Sequence, residues 1–208
     1  MSRTKKILKH YEPRIDSDLA NFEILDWASG ASQTARFAAL ADNVPLSGKS
    51  LLDVGCGLGD LWAFLKQRSL EVDYTGVDIS EKMLSAARKR HENIRFVCAD
   101  LFADCGQDSI PFGPGTFDVV FSSGTFNLNL GNNISFLPAA IDRLREFSHQ
   151  YIVFNLLHIR TPQQSSRYAY YDPAVVMEQI TLDQWSTQLL EDYLQNDFTV
   201  ICRRQCPR

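Results

Sequence analysis

The chain lacks most of what would mark a secreted, membrane-spanning or nucleic-acid-binding protein. Cysteine is scarce and odd in number: Cys56, Cys98, Cys105, Cys202 and Cys206, with no C-x-x-C spacing among them. This excludes a disulfide framework and a zinc site built on cysteine pairs, and it points to a reduced, cytoplasmic chain. The first residues carry charge without an apolar segment, so no signal peptide is expected. Residues 119–141 are free of charge and long enough to span a bilayer, but Asn127, Asn129, Asn132, Asn133 and Pro138 make them too polar to do so. An excess of positive charge is missing as well. With 21 Lys and Arg against 25 Asp and Glu, the formal net charge is −4, which argues against a nucleic-acid partner held by bulk electrostatics. Basic residues do gather at the two ends (Arg3, Lys5, Lys6, Lys9 and Arg14; Arg203, Arg204 and Arg208), where they read as solvated tails. There is no internal repeat and no low-complexity tract.

What is present fits one ordinary globular domain. The 208 residues are 45% hydrophobic and 22% charged, enough for a full core. The expectation is a single domain over 1–208, with 1–47 as an N-terminal helical cap. From Asp16 to Asn43 apolar residues recur at helical spacing, with Asp16 or Ser17 as the first cap and Gly30 as a helix end. Pro45 and Gly48 then break the chain before strand "SLLDV".

From there strands and helices alternate. Strands are expected at 51–54, 73–77, 94–98, 117–122 and 151–157, and helices at about 59–68, 80–90 and 134–147. A loop holding Gly106, Pro111, Gly113, Pro114 and Gly115 precedes the fourth strand. Apolar strands without polar alternation are buried on both faces, which predicts a mainly parallel sheet covered by helices. The segments "STQLLEDYL" and "DFTVICRR" are separated by a short turn near Gln195 and Asn196. So close a pair must be antiparallel, since a parallel pair needs a long crossover. The fold class is therefore α/β, doubly wound, with an antiparallel terminal hairpin.

The stretch "LLDVGCGLGDL", residues 51–61, ends the first strand in a glycine turn. In such a sheet the turn lies at the carboxyl edge, where ligands bind. Gly55, Gly57 and Gly59 allow positive φ and close backbone approach, the following helix start offers free N–H groups, and Asp53 faces the same crevice, where a carboxylate suits an ammonium. A dinucleotide turn requires G-x-G-x-x-G, yet Asp60 stands where the third glycine belongs and would repel a pyrophosphate. No G-K-[ST] follows, which excludes a P-loop. A ligand with cationic and ribose groups but no phosphate suits the turn better. The second strand ends at Asp78, spaced to take both hydroxyls of a ribose, and the third ends "FVCADLF" at Asp100, placed for an exocyclic adenine amine. Ile79 and Leu101 could then sandwich the ring.

Taken in order, "LLDVGCGLGDL", "GVDIS", "FVCADLF" and "FDVVFSSGTFNL" resemble the motifs of the class I S-adenosylmethionine-dependent methyltransferases, over roughly residues 48–156. The resemblance implies a Rossmann-like seven-stranded fold and S-adenosylmethionine as cofactor. It also implies that Gly55 and Gly57 pass the methionine part, Asp78 holds the ribose, Asp100 and Leu101 contact adenine, and Ser122 lies beside the sulfonium. A basic residue before the first strand often holds the cofactor carboxylate in that family; Arg36, with Gln33 nearby, is the residue here. The terminal hairpin suits the family's reversed strand.

The acceptor is less legible. "SSGTFNL" departs from the D/N-P-P-Y/F signature of enzymes that methylate exocyclic or amide nitrogens. Asn127 is either a residue that orients an acceptor or an ordinary loop-cap asparagine. The segment after the fifth strand carries His158, Arg160, Arg167, Tyr168, Tyr170 and Tyr171. It is either an acceptor pocket with His158 as a base or a surface connection with packed tyrosines. The acidic charge and short cap favour a small-molecule acceptor. Two alternatives stand beside this reading: a cofactor-binding protein without catalysis, and a nicotinamide-dependent oxidoreductase, disfavoured by Asp60.

Overall fold

In the computed structural model the described residues are 1–15, 17–103, 110–180 and 183–205. Asp16, Cys105, Gly106, Cys206 and Arg208, all named above, lie outside them. The elements run in the order α1 (Arg3–Tyr11), α2 (Asn21–Ile24), α3 (Gly30–Asn43), β1 (Lys49–Val54), α4 (Asp60–Gln67), β2 (Val72–Asp78), α5 (Glu81–Arg90), β3 (Arg95–Cys98) and β4 (Phe117–Ser122). They continue with α6 (Asn133–Phe147), β5 (Ser148–Leu157), α7 (Pro173–Gln179), β6 (Trp185–Leu190) and β7 (Asp197–Arg204).

The seven strands form one sheet in the order β3-β2-β1-β4-β5-β7-β6. The first five are mutually parallel, and β7 runs antiparallel to both β5 and β6. Each central strand splits its side chains between two apolar layers. On β1 and β4, Leu52 and Val120 join the layer under α6, while Leu51, Val119 and Phe121 join the layer under α3, α4 and α5. Burial on both faces explains why these strands read as unbroken apolar runs. The order reverses between β1 and β4, and the register pairs Val54 with both Val77 and Ser122. The glycine turn, Asp78 and the loop after β4 therefore converge at one edge of the sheet, at the switch point.

Three local expectations are corrected. Gly30 opens a helix instead of ending one. Ser29 caps it: its Oγ accepts from Ser32 N–H at 3.1 Å, and Ser32 Oγ accepts from Ser29 N–H at 3.2 Å. The basic N-terminal segment forms α1, capped by Ser2 and followed by one turn of 3₁₀ helix at Glu12–Arg14. And α7 interrupts the segment after β5, started by Asp172, whose carboxylate accepts from Ala174 N–H, with Pro173 in the first turn.

Candidate functional site

The turn after β1 folds as its glycines require. Gly55, Gly57 and Gly59 all have positive φ, at +75°, +55° and +78°. A Cβ on Gly57 would stand 2.8 Å from Leu25 Cδ2, and one on Gly55 would collide with Thr125 Oγ1. The backbone is thus brought close to two walls at once: the segment before α3 and the loop after β4. The N–H groups of Gly55 and Cys56 both donate to the Val77 carbonyl, at 2.8 and 3.1 Å, which ties the turn to the end of β2.

Around this turn lies a cavity of about 310 Å³, in the range of small-molecule sites. Asp53, Gly55, Gly57, Asp78, Ile79 and Leu101 all line it. Asp78 accepts from Gly57 N–H at 3.0 Å and from Ser80 N–H at 2.9 Å. Burial nevertheless pushes its carboxyl above the ordinary range, against those backbone hydrogen bonds. Asp53 accepts from the Tyr74 hydroxyl at 2.6 Å. Its burial, reinforced by the nearby Asp78 and Asp60, lifts its pKa to about 7 despite that bond.

Other expected residues stand differently. Arg36 lines the cavity, but its guanidinium is already answered: it is 2% exposed and ion-paired with Asp197, with Nε 3.0 Å from Asp197 Oδ1. It also lies 4.3 Å from the centroid of the Trp27 ring. Gln33 donates to Asp60 at 3.0 Å, and Asn21 donates to the other oxygen of the same carboxylate at 2.6 Å. Asp60, at the place of a dinucleotide turn's third glycine, thus anchors the N-terminal segment to α4. Ser122 is fully buried, its Oγ 3.2 Å from the Val54 carbonyl and 2.9 Å from Thr125 Oγ1. It does not line the cavity; Ser123, Gly124 and Thr125 do. Asp100 also falls outside the wall, because α1 takes it: Thr4 donates to it at 2.8 Å and Arg3 pairs with it at 3.5 Å. His158 turns away. Its Nδ1 accepts from Arg160 N–H at 3.0 Å, its Nε2 lies 3.0 Å from Glu191, and its ring packs on Phe198.

Sequence reasoning missed α1. Arg3, Ile7, Leu8 and Tyr11 line the cavity, and Arg3 also lies over the rings of Phe102 and Phe136. It missed Asp26 too, whose carboxylate gathers the Tyr168 hydroxyl, His10 Nε2 (2.9 Å) and Arg14 (2.8 Å). Burial alone would raise the Asp26 pKa; these three partners outweigh it and hold it low. No single motif announces such a hub, since its four members come from three separate segments.

Residues 51–147 match the family described as a methyltransferase domain. The chain is 30% identical over 165 residues to the putative methyltransferase Rv1506c of Mycobacterium tuberculosis, an alignment covering 74% of this chain and 93% of that one.

The chain belongs to the class I S-adenosylmethionine-dependent methyltransferases.

Phosphoethanolamine N-methyltransferase 3 of Arabidopsis thaliana is 33% identical over 96 residues, which is 46% of this methyltransferase but 19% of the plant protein. Among solved structures, magnesium protoporphyrin IX methyltransferase (ChlM) from Synechocystis PCC 6803, with bound SAH, superposes with a TM-score of 0.69 at 18% identity. That superposition covers 98% of this chain and 100% of the other, and it shows the shared fold. The cofactor is S-adenosylmethionine, and the cavity's chemistry fits it: Asp26, Asp53, Asp60 and Asp78 outnumber Arg3 and Arg36 on the wall, which suits a ligand whose sulfonium and ammonium outnumber its one carboxylate. Among the described residues no helix is long and apolar enough to cross a membrane, and no group of three His, Cys, Asp or Glu could hold a metal.

Proposed function

We propose that this methyltransferase holds S-adenosylmethionine along the glycine turn and transfers its methyl group to a small molecule seated between the loop after β4 and the segment after β5. The observation that carries the reading is one continuous cavity. Its wall runs from Asp53, Gly57 and Asp78 to Asn127, Tyr168 and Tyr170. Gly55 and Gly57 let the methionine part pass, Asp53 takes the ammonium, and Asp78 takes the ribose hydroxyls. Ile79 and Leu101 flank the adenine. Arg36 and Asp100, each already ion-paired, and the buried Ser122 stand outside this set. When bound, the sulfonium supplies an activated methyl group, whose carbon–sulfur bond breaks with its electron pair to sulfur as the acceptor's lone pair takes the carbon. The chain's own part is to align the acceptor in line and to exclude water during transfer; the acceptor's proton leaves to solvent as the product departs, so no dedicated base is required. Three described cysteines, Cys56, Cys98 and Cys202, are free thiols, which supports a cytoplasmic, reducing setting.

The test is parallel calorimetric titration with S-adenosylmethionine, S-adenosylhomocysteine and NAD. Micromolar binding of the two sulfur compounds without NAD is expected, and Asp78→Ala should weaken it by about a hundredfold through loss of two charge-assisted hydrogen bonds. Binding of NAD alone, or unchanged affinity in a folded Asp78→Ala protein, would reject the assignment.

A further inference from the structure

Building on that reading, we infer that Tyr11 of α1 is a cofactor-contacting residue: its hydroxyl donates to the ribose that Asp78 holds, so that the N-terminal helix completes the cofactor site.

Tyr11 is held between two anchors. The residue before it, His10, has its Nε2 2.9 Å from Asp26. The residue after it, Glu12, accepts from Ser80 Oγ at 2.8 Å, and its carbonyl accepts from Lys82 Nζ at 3.1 Å. Ser80 is also the residue whose N–H reaches Asp78, at 2.9 Å. The chain therefore crosses from Asp26 to the neighbourhood of Asp78 in three residues, and Tyr11, in the middle, lines the cavity. Its ring packs on Ile24, Leu58 and Met83, which leaves the hydroxyl as the polar end that a ligand can meet.

That hydroxyl is unanswered and open. Among the described residues it has no hydrogen-bond partner, and burial, followed by the nearby carboxylate of Asp26, pushes the phenol well above its ordinary range. It therefore keeps its proton and can donate it. The charge of Asp78 adds to the same effect. Arg3 Nε and Asn127 Oδ1, on the same wall, also lack partners but are sealed from contact. The Tyr11 oxygen is not sealed, and it opens on the cavity.

Asp78 determines what the proton meets. Each of its oxygens already takes one backbone N–H, from Gly57 and from Ser80, and each keeps a lone pair for one ribose hydroxyl. A diol that gives both protons to a carboxylate turns its own oxygens outward as acceptors. Enclosed without a donor, such an oxygen is costly, and the Tyr11 hydroxyl is a donor with nothing else to serve. The contact also gives α1 a reason to dock: none of its residues is buried, so what it covers matters more to its position than any core of its own.

The test is calorimetric titration of the full-length protein with S-adenosylhomocysteine, adenosine and 2′,3′-dideoxyadenosine. The two nucleosides share a base and differ in the ribose hydroxyls. The wild type should bind adenosine more tightly than its dideoxy analogue. Tyr11→Phe keeps the ring on Leu58 and Met83 and should keep the thermal midpoint. In this variant the preference for adenosine should fall about five- to tenfold, and S-adenosylhomocysteine should weaken by the same factor. The dideoxy analogue should bind both proteins alike. Because the preference is a ratio, a merely structural loss cancels from it. Tyr11→Leu, which removes the ring as well, is the second variant and should lose the same share of the preference. Equal weakening of both nucleosides would reveal a packing role only and overturn the inference. So would an unchanged preference in both variants, or no preference in the wild type. Failure of S-adenosylhomocysteine to bind the wild type would instead reject the cofactor site on which the inference rests.

Discussion

Asp53 offers a direct test of the site's electrostatics, because burying its carboxyl costs the ligand-free fold. Its pKa of about 7, raised from 3.8 chiefly by burial, means the folded chain keeps this proton through a range in which the unfolded chain has lost it. The sign follows: between about pH 4 and pH 7 the folded state binds more protons, so stability falls as pH rises through that window and levels off above it. The full displacement corresponds to about 4 kcal/mol. Asp53→Asn mimics the protonated carboxyl, since its carbonyl can still accept from the Tyr74 hydroxyl that now reaches Asp53 at 2.6 Å. In urea unfolding of the ligand-free protein the variant should exceed the wild type by under about 1 kcal/mol at pH 4 and by about 4 kcal/mol at pH 8. At pH 8 it should also bind S-adenosylmethionine ten- to a hundredfold more weakly, through loss of a charged hydrogen bond. In the wild type, binding near pH 6 should release close to one proton, seen by calorimetry in buffers of different ionisation enthalpy. A stability difference that stays constant across pH would refute the raised carboxyl, and unchanged affinity would refute its role at the ammonium.

Two further substitutions probe the frame. Gly57→Val should abolish cofactor binding and also cost about 1–2 kcal/mol of stability, because its φ is +55° and its Cβ would crowd Leu25; a stable variant that retains binding would contradict the glycine-turn geometry. Arg36→Ala should cost about 3–5 kcal/mol by leaving Asp197 buried and unpaired, while adding Asp197→Leu should recover part of the loss; strict additivity in that cycle would deny the pairing.

How much of this was legible depends on how local each cause is. The strands were readable because burial on both faces leaves an apolar run, as in "FDVVFS" and "YIVFNLL". The glycine turn and Asp78 were readable because their spacing is short. α1 was not, since none of its residues is buried and a short basic helix looks like a solvated tail. α7 did leave a signal, aspartate followed by proline, of the kind that starts helices. The partner of Arg36 could not be found from either end: Asp197 lies 161 residues away and only the closing of the sheet brings them together. The same holds for Asp100, whose spacing identifies a strand end but not the helix that has claimed it.

The position of β7 has a consequence for how the chain reaches this state. Leu157, the last residue of β5, pairs with Asp197, the first of β7, so about forty residues must be made between one partner and the other. At about 5–20 residues per second, β5 waits some seconds with its outer margin of backbone donors and acceptors unpaired. That margin belongs to a strand whose residues from Tyr151 to Leu157 are all buried in the finished fold, the kind of template that recruits other chains. Once β7 arrives, the exposed margin passes to β6, where Ser186, Thr187 and Gln188 face solvent. The terminal hairpin therefore exchanges an adhesive edge for a polar one, and a chain cut short before it should precipitate during synthesis although the glycine turn, Asp53 and Asp78 all precede the cut.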